Sequence, residues 1–202
     1  DVEATFADQY NTTFTALDGD IDMSKGRQQF TAANAEGVAQ DDLVITITDD
    51  ANATTNALTE TKVTHTITGN FGWAMDYDLA ANGGDADGIL DAAEFANAVA
   101  ATAANDTFAI AMNSALTTLT VTQTLAAGGT TEAATVSFTP VGQAGGGSVL
   151  AAQTFGVTSV ATAGAVVATS GATNAPGAWT LGADTNSVPF MPFGSQYSQS
   201  VT

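Results

Sequence analysis

Threonine alternates with apolar residues in several stretches of this chain, and no other feature constrains the fold as strongly. The alternation runs through residues 43–48, 63–68, 118–125 and 134–139. A period of two places successive side chains on opposite faces of a β-strand, so each stretch predicts a strand with one apolar and one threonine face. Strands with a single apolar face pack in pairs of antiparallel sheets. The pattern therefore predicts an all-β protein, mainly an antiparallel β-sandwich of one or two lobes.

Two turn signals predict which strands pair. The Gly69-Asn70 pair predicts a hairpin between residues 63–68 and a second strand that contains Phe71 and Trp73.

The Gly128-Gly129 pair predicts a second hairpin, between residues 118–125 and 134–139. Near the N-terminus the pattern is ambiguous, since Phe6, Tyr10 and Phe14 are spaced as on one face of a helix but the intervening Asn-Thr-Thr favours extended chain.

A glycine run divides the chain. Residues 145–147 are all glycine, which predicts a boundary between a β-rich domain at 1–142 and a β-rich C-terminal segment at 149–202. The C-terminal segment is either a separate unit or a continuation of the same sandwich. Tyr197 and Val201 alternate with polar residues up to Thr202, so the chain stops within a predicted strand. A strand without a partner in its own chain offers a route to assembly by strand addition.

An acidic stretch at residues 76–103 matches part of an EF-hand calcium loop. The side-chain ligands and the invariant glycine of that loop would be Asp85, Asp87, Gly88, Asp91 and Glu94. Ile89 would contribute its backbone carbonyl. The first ligand position falls on Gly83, which has no side chain, so the match covers only the later part of the loop. These residues predict a calcium site.

An interpretation without metal accounts for the same residues. Asp91 followed three residues later by Glu94 forms a capping box, and the Ala-rich residues 92–103 predict one short helix inserted between the strands. The two interpretations are compatible, because an EF-hand loop also ends by starting a helix.

A second acidic group, Asp18, Asp20 and Asp22, resembles the first half of a calcium loop. Met23 stands where glycine is needed and Gln29 where an acidic residue is needed, which favours an acidic turn over a cation site. Whether this group approaches the Asp85 loop in space stays open.

The charge balance limits the partners. The chain has 21 acidic residues, 16 of them aspartate, and only Lys25, Arg27 and Lys62 as basic residues. Nucleic acids and anionic membranes bind through Lys and Arg, so both are excluded and cations are the expected partners. The longest apolar run, residues 155–167, is interrupted by polar residues and is too short to span a bilayer. We expect an exported, extracellular protein.

Catalytic motifs are missing. His65 is the only histidine, there is no cysteine, and no serine lies in a Gly-x-Ser-x-Gly turn. On the apolar face of its strand, His65 is expected to be a packed side chain, and the chain is predicted not to be an enzyme. Asn11, Asn52 and Asn105 each begin a glycosylation sequon.

The composition and one segment resemble a known family. The chain is acidic, free of cysteine and rich in Ala, Thr, Gly and Val, and residues 188–202 form a strand entry containing proline and aromatic residues. In these features it resembles the acidic S-layer-like cell-surface proteins of marine gammaproteobacteria. The resemblance implies a structural protein that assembles with itself into a layer or filament at the cell surface, with divalent cations at its contacts and a possible glycan anchor.

A calcium-dependent adhesin or glycan-binding module is the alternative. It needs an exposed aromatic platform, for which Trp73, Tyr77 and Trp179 are the candidates, while the other role for these side chains is core packing.

Overall fold

A computed structural model of the chain describes residues 10–49, 62–126, 131–140, 148–163, 166–170 and 176–182. The strands of these residues are β1 (Tyr10–Thr15), β2 (Asp20–Ile21), β3 (Asp41–Asp49), β4 (Lys62–Thr68), β5 (Val99–Thr102), β6 (Thr107–Met112), β7 (Thr118–Thr124), β8 (Thr131–Phe138), β9 (Gln153–Thr154), β10 (Gly156–Ala163), β11 (Val166–Ser170) and β12 (Ala178–Leu181). Its helices are α1 (Ala92–Ala98) and the 3₁₀ helices Met23–Lys25, Gly72–Asp78 and Ala80–Asn82.

Two antiparallel sheets form the body of the described structure. One has the strand order β1-β3-β8-β5 and the other the order β11-β10-β4-β7-β6. The apolar faces of β3 and β8 share one buried core with those of β4 and β7. The threonines between these apolar residues lie on the opposite, more accessible faces. The predicted all-β antiparallel sandwich is confirmed, because a period of two leaves each strand one face to bury.

The predicted hairpin at Gly69-Asn70 is wrong. After β4 the chain enters the 3₁₀ helix Gly72–Asp78 instead of a strand. Phe71 donates its backbone N–H to Leu116 O at 2.8 Å, and the Trp73 side chain packs in the core with Ala74 beside it. Adjacent buried residues such as Trp73 and Ala74 do not suit the two faces of a strand, and a helical turn buries both.

The predicted hairpin between residues 118–125 and 134–139 is also wrong. β7 pairs with β4 and β6, whereas β8 pairs with β3 and β5 in the other sheet. The strand before β7 is its neighbour, because Asn113 Oδ1 accepts the N–H groups of Thr117 and Thr118 and closes a short β6–β7 turn. Gly128 and Gly129 lie outside the described residues. Alternation marks a strand but carries no information about its partner.

The inserted helix is shorter than residues 92–103. α1 ends at Ala98, and the next residue, Val99, is extended at φ −137° and ψ 126°. Val99–Thr102 pairs with β8, so tertiary pairing overrides the helix propensity of the alanines.

Near the N-terminus the ambiguity is resolved in favour of extended chain, since β1 pairs with β3.

Strands from the C-terminal segment join strands from earlier in the chain. β10 lies beside β4, and β12 lies between β2 and β9 in a third sheet of order β2-β12-β9. The boundary predicted at 142–149 stays a prediction, because residues 141–147 lie outside the described structure. The strand predicted at the end of the chain and the sequon at Asn52 lie outside it as well.

Aromatic rings connect the third sheet to the sandwich. The ring of Trp179, on β12, lies 5.1 Å from the ring of Phe30 and 5.2 Å from that of Phe155. Its distance to the ring of Trp73 is 5.9 Å, and Phe138 of β8 contacts the same group. Trp73 and Trp179 are 5% and 1% exposed. Their predicted core role is confirmed, and the glycan-binding alternative loses two of its three platform residues.

A chain of buried polar side chains crosses the second sheet. His65 Nδ1 lies 2.8 Å from Ser159 Oγ, and His65 Nε2 lies 3.2 Å from Gln123 Oε1. Gln123 Nε2 donates to Asp106 Oδ2 at 2.6 Å. A carboxylate only accepts, so the Gln123 amide turns its oxygen toward His65. His65 Nε2 is therefore the protonated nitrogen, and Nδ1 accepts from Ser159. His65 is fully buried, as its position on the apolar face predicts.

We expect His65 to make stability depend on pH. Burial lowers the pKa of His65 from 6.5 to about 4, against the raising effect of the Gln123 hydrogen bond. Its neutral form is thus favoured by folding. The neutral histidine therefore contributes roughly 3 kcal/mol to the free energy of unfolding. This contribution is complete above pH 6.5 and is lost as the pH falls toward 4. His65→Gln removes this loss. Urea unfolding of both proteins at pH 7 and pH 4 measures it.

All other side chains are the same in both proteins, so the difference between the two pH dependences isolates His65. Equal losses of stability in the wild type and in His65→Gln would contradict the assignment of a neutral, buried histidine.

Candidate metal centre

Helix α1 begins where its sequence predicts, through a capping box. Asp91 Oδ1 accepts the backbone N–H groups of Ala93 and Glu94 at 2.8 and 2.9 Å. Glu94 Oε2 in turn accepts the Asp91 N–H at 3.0 Å. This reciprocal pair satisfies donors that a helix start leaves without intrahelical partners. It also fixes the position of the Glu94 carboxylate beside the preceding loop.

Two buried carboxylates organise that loop. Glu94 Oε1 accepts the Asp85 N–H at 3.2 Å. Asp78, at the end of the 3₁₀ helix Gly72–Asp78, accepts the N–H groups of Asp87 and Gly88, one on each oxygen, both at 3.0 Å. As a result, carboxylate oxygens of Asp78, Asp85 and Glu94 all lie within 4.8 Å of one another. This group is the candidate metal centre.

Glycines allow the loop to close this tightly. A Cβ added at Gly84 would collide with the backbone oxygens of Tyr77 and Asp78. Gly88, at the invariant glycine position of the calcium-loop pattern, has φ +83°, which glycine adopts without strain. Ala86 N–H donates to Asp78 O at 2.7 Å and completes the close approach of the two segments.

The structure brings together only part of the predicted ligand set. Asp85 and Glu94 meet as the loop pattern predicts, but Asp87 and Asp91 lie outside the group of three. Asp87 Oδ1 accepts the N–H of Ile89, whose side chain is 65% exposed, and Asp91 caps α1. Whether Ile89 contributes its carbonyl, and whether this loop holds calcium, stay predictions.

Sequence reasoning missed Asp78. It precedes the weak first ligand position, Gly83, by five residues, and only the fold of residues 79–84 brings it to Asp85 and Glu94. A signal was nevertheless present. The loop pattern lacks one acidic ligand, and an aspartate stands a few residues upstream in the same acidic stretch.

Within the described structure, no basic side chain offsets the negative charge of this group. Asp78 and Glu94 are 5% and 7% exposed, and their hydrogen bonds come from backbone N–H groups. Burying a carboxylate is costly unless it is paired or hydrogen bonded. Each carboxylate oxygen has two lone pairs and a backbone donor uses one, so further acceptor capacity is left for a cation. The all-oxygen donor set is the one that calcium prefers.

The second predicted acidic group does not join the first. Asp22 caps the 3₁₀ helix Met23–Lys25, and its Oδ1 accepts from Ser24 N and Ser24 Oγ at 2.8 and 2.6 Å. The Ser24 side-chain hydrogen bond is the main cause that lowers the Asp22 pKa. Asp20 Oδ1 accepts from Thr180 Oγ1 at 3.1 Å, beside the parallel β2–β12 pairing. Both residues therefore have local structural roles in a turn and at a strand.

Asp18 takes part in a different group. Its carboxylate lies within 4.8 Å of carboxylate oxygens of Glu36 and Asp41. Asp18 and Glu36 are exposed, whereas Asp41 is completely buried. Burial raises the pKa of Asp41 to about 6, and the charge of Asp18 adds to this rise. The hydrogen bonds from Trp179 and Gly19 act in the opposite direction.

The Ser159–His65 pair is unsuited to nucleophilic catalysis. Its 2.8 Å separation is that of a serine and its general base, but the two residues are 2% and 0% exposed within the sheet. A substrate has no path to Ser159 Oγ, so the pair is a structural link between β4 and β10.

Comparison with known proteins identifies the family. Among the residues that the structure describes, no helix is long and apolar enough to cross a membrane. No curated protein and no solved structure matches the chain. A family model described as S-layer protein Slr4 matches residues 2–202, nearly the whole length. The chain therefore belongs to the S-layer protein Slr4 family.

Proposed function

We propose that this protein is a structural subunit that assembles with copies of itself into an extracellular surface layer, stabilised by calcium at the loop between Asp78 and Glu94. Membership of an S-layer family over residues 2–202 supports the structural role. The convergence of Asp78, Asp85 and Glu94 is the observation that carries the calcium part of the proposal.

Electrostatic repulsion is the obstacle that assembly has to overcome. The formal net charge is −18 at pH 7, so two copies of the chain repel each other as they approach. A divalent cation bound in an acidic loop lowers the local charge without needing lysine or arginine, of which the chain has three. Calcium binding would thus favour contacts between subunits that are otherwise opposed.

The loop geometry suits this role. Asp85, Asp87 and Ile89 are exposed, while Asp78 and Glu94 anchor the loop from the buried side. We assign Asp78, Asp85 and Glu94 as the first ligands, with Asp87, Asp91 and the Ile89 carbonyl available to complete the coordination of calcium. The ion would hold an exposed apolar side chain, Ile89, in a fixed position on the surface.

We also propose where the protein acts and which kind of assembly it forms. S-layer proteins act at the cell surface, and we extend this to export and extracellular localisation of the present chain. A layer and a filament are both compatible with it. Attachment to a cell-surface glycan stays a prediction.

Calcium should control assembly through the acidic loop. We expect ordered assemblies in calcium that dissolve in EDTA, with Asp85→Asn and Glu94→Gln raising the calcium concentration required by roughly tenfold or more. Both substitutions remove charge and keep an acceptor oxygen, and Gln is accepted in a capping box. Light scattering across a calcium titration, with negative-stain microscopy of the products, measures this requirement.

Asp22→Asn is the matched control, since it removes one acidic charge outside both carboxylate groups. Assembly of Asp85→Asn and Glu94→Gln at the calcium concentration used by the wild type would contradict the loop as the controlling site. Wild-type protein that stays monomeric at every calcium concentration would contradict self-assembly.

The loop backbone should tolerate no side chain at position 84. In Gly84→Ala the new Cβ meets the carbonyls of Tyr77 and Asp78, and relief of that collision moves Asp78 away from Asp85 and Glu94. We expect a loss of roughly 1–3 kcal/mol in unfolding free energy and weaker calcium binding. Thermal unfolding with and without calcium measures both effects.

Gly26→Ala supplies the comparison. Its φ of +66° strains an alanine, but an added Cβ there meets only the Gln28 side chain, at 3.5 Å or more. We expect Gly26→Ala to lower the stability without changing the affinity for calcium. Equal losses of calcium affinity in the two variants would contradict the collision with Asp78 as the cause.

A further inference from the structure

Asp41 is a fully buried carboxylate, and among the described residues only one of its two oxygens accepts hydrogen bonds. Its Oδ2 accepts from Trp179 Nε1 at 2.6 Å and from Gly19 N at 3.1 Å. Its Oδ1 is buried and has no hydrogen-bond partner among the described residues. A buried acceptor without a partner loses its hydration without compensation, so such an oxygen points to a ligand.

Two further carboxylates face Asp41. Oxygens of Asp18 and Glu36 lie within 4.8 Å of one another and of an Asp41 oxygen. Asp18 and Glu36 are exposed, so a small ion can reach the group from solvent. Three carboxylates at this separation repel one another, and a cation between them converts the repulsion into attraction.

The loop that carries Glu36 contains more unused acceptors. Thr31 Oγ1 and Asn34 Oδ1 are also buried without hydrogen-bond partners in the described structure. Asn34 Nδ2 donates to Gly37 O at 2.8 Å and to Gln40 O at 2.6 Å, which holds this loop closed just before Asp41. The segment from Thr31 to Asp41 therefore contains several buried oxygen acceptors that no other described residue satisfies.

We propose that Asp18, Glu36 and Asp41 bind a divalent, oxygen-preferring cation of the calcium type, at a site separate from the Asp78–Asp85–Glu94 loop. The donor set contains only oxygen, which suits calcium and excludes a zinc-like site of nitrogen and sulfur ligands. This inference does not rest on the proposed assembly function.

Such an ion joins parts of the fold that are distant in sequence. Asp18 lies just before β2, Glu36 lies in the loop that precedes β3, and Asp41 begins β3. Asp41 also holds the indole of Trp179 on β12. Occupancy of the site fastens the third sheet to the sandwich beside the aromatic cluster.

A shared proton is the competing occupant, because crowded carboxylates can also relieve repulsion by keeping one of their number neutral. Metal binding distinguishes the two occupants, since a group that holds only a shared proton does not bind metal saturably at neutral pH.

Terbium luminescence tests the proposal. Terbium replaces calcium at oxygen sites and emits when a nearby indole is excited, and the Trp179 indole contacts Asp41 directly. Titrations at pH 7 use Asp85→Asn as the parent protein, which removes a ligand of the other loop. We expect saturable emission that calcium reverses, and a loss of affinity of roughly tenfold or more when Glu36→Gln or Asp41→Asn is added.

Both added substitutions keep size and an acceptor oxygen, so the amide oxygen introduced by Asp41→Asn can still accept from Trp179 and Gly19. Should Asp41→Asn fail to fold by circular dichroism, the exposed Glu36→Gln decides alone. Unchanged terbium affinity in Glu36→Gln, or no saturable emission from the parent, overturns the proposal in favour of the proton. Terbium binding here is independent of assembly, so either proposal can fail while the other stands.

Discussion

Buried carboxylates that lack cationic partners are the constraint on which the described structure depends. With three basic residues against 21 acidic ones, the chain cannot pair each of its buried acids with a side chain of opposite charge. Asp41, Asp76, Asp78 and Glu94 are all at most 7% exposed, and the N–H groups that they accept come mainly from the backbone. A carboxylate can accept several such bonds, so each one ties loop segments together.

These ties connect the sheets and the loops. Asp76 accepts Ser148 N on both oxygens, at 2.8 and 2.9 Å, and fixes the start of the segment that leads to β9. Asp41 joins β3 to Gly19 and to Trp179 on β12. The aromatic cluster places apolar rings between the third sheet and the sandwich, and burial of apolar surface is the main favourable contribution to folding in proteins generally. The buried acids attach loops to the sheets, and the rings pack the sheets against each other.

The shortage of basic residues also explains why the proposed metal sites would be energetically favourable in this protein. A surface-layer protein that is strongly acidic has to hold its own loops and its neighbours together against repulsion. Divalent ions bound at the proposed sites would meet that need, since the chain has only three lysine and arginine residues. Fold and assembly would then respond together to the ion content of the surroundings, since binding to the folded state alone stabilises it.

The sequence by itself determined the strands at β3, β4, β7 and β8, the capping box at Asp91 and the buried state of His65, because these depend on local periodicity and spacing. Only the tertiary structure decided which strands are neighbours, where α1 gives way to β5, and that Asp78 meets Asp85 and Glu94. The alternation within a strand is the same whichever strand lies beside it. A carboxylate that comes from outside the loop pattern, as Asp78 does, has no fixed sequence spacing from the other carboxylates of the group. Such features arise from contacts between distant residues, which local sequence does not encode.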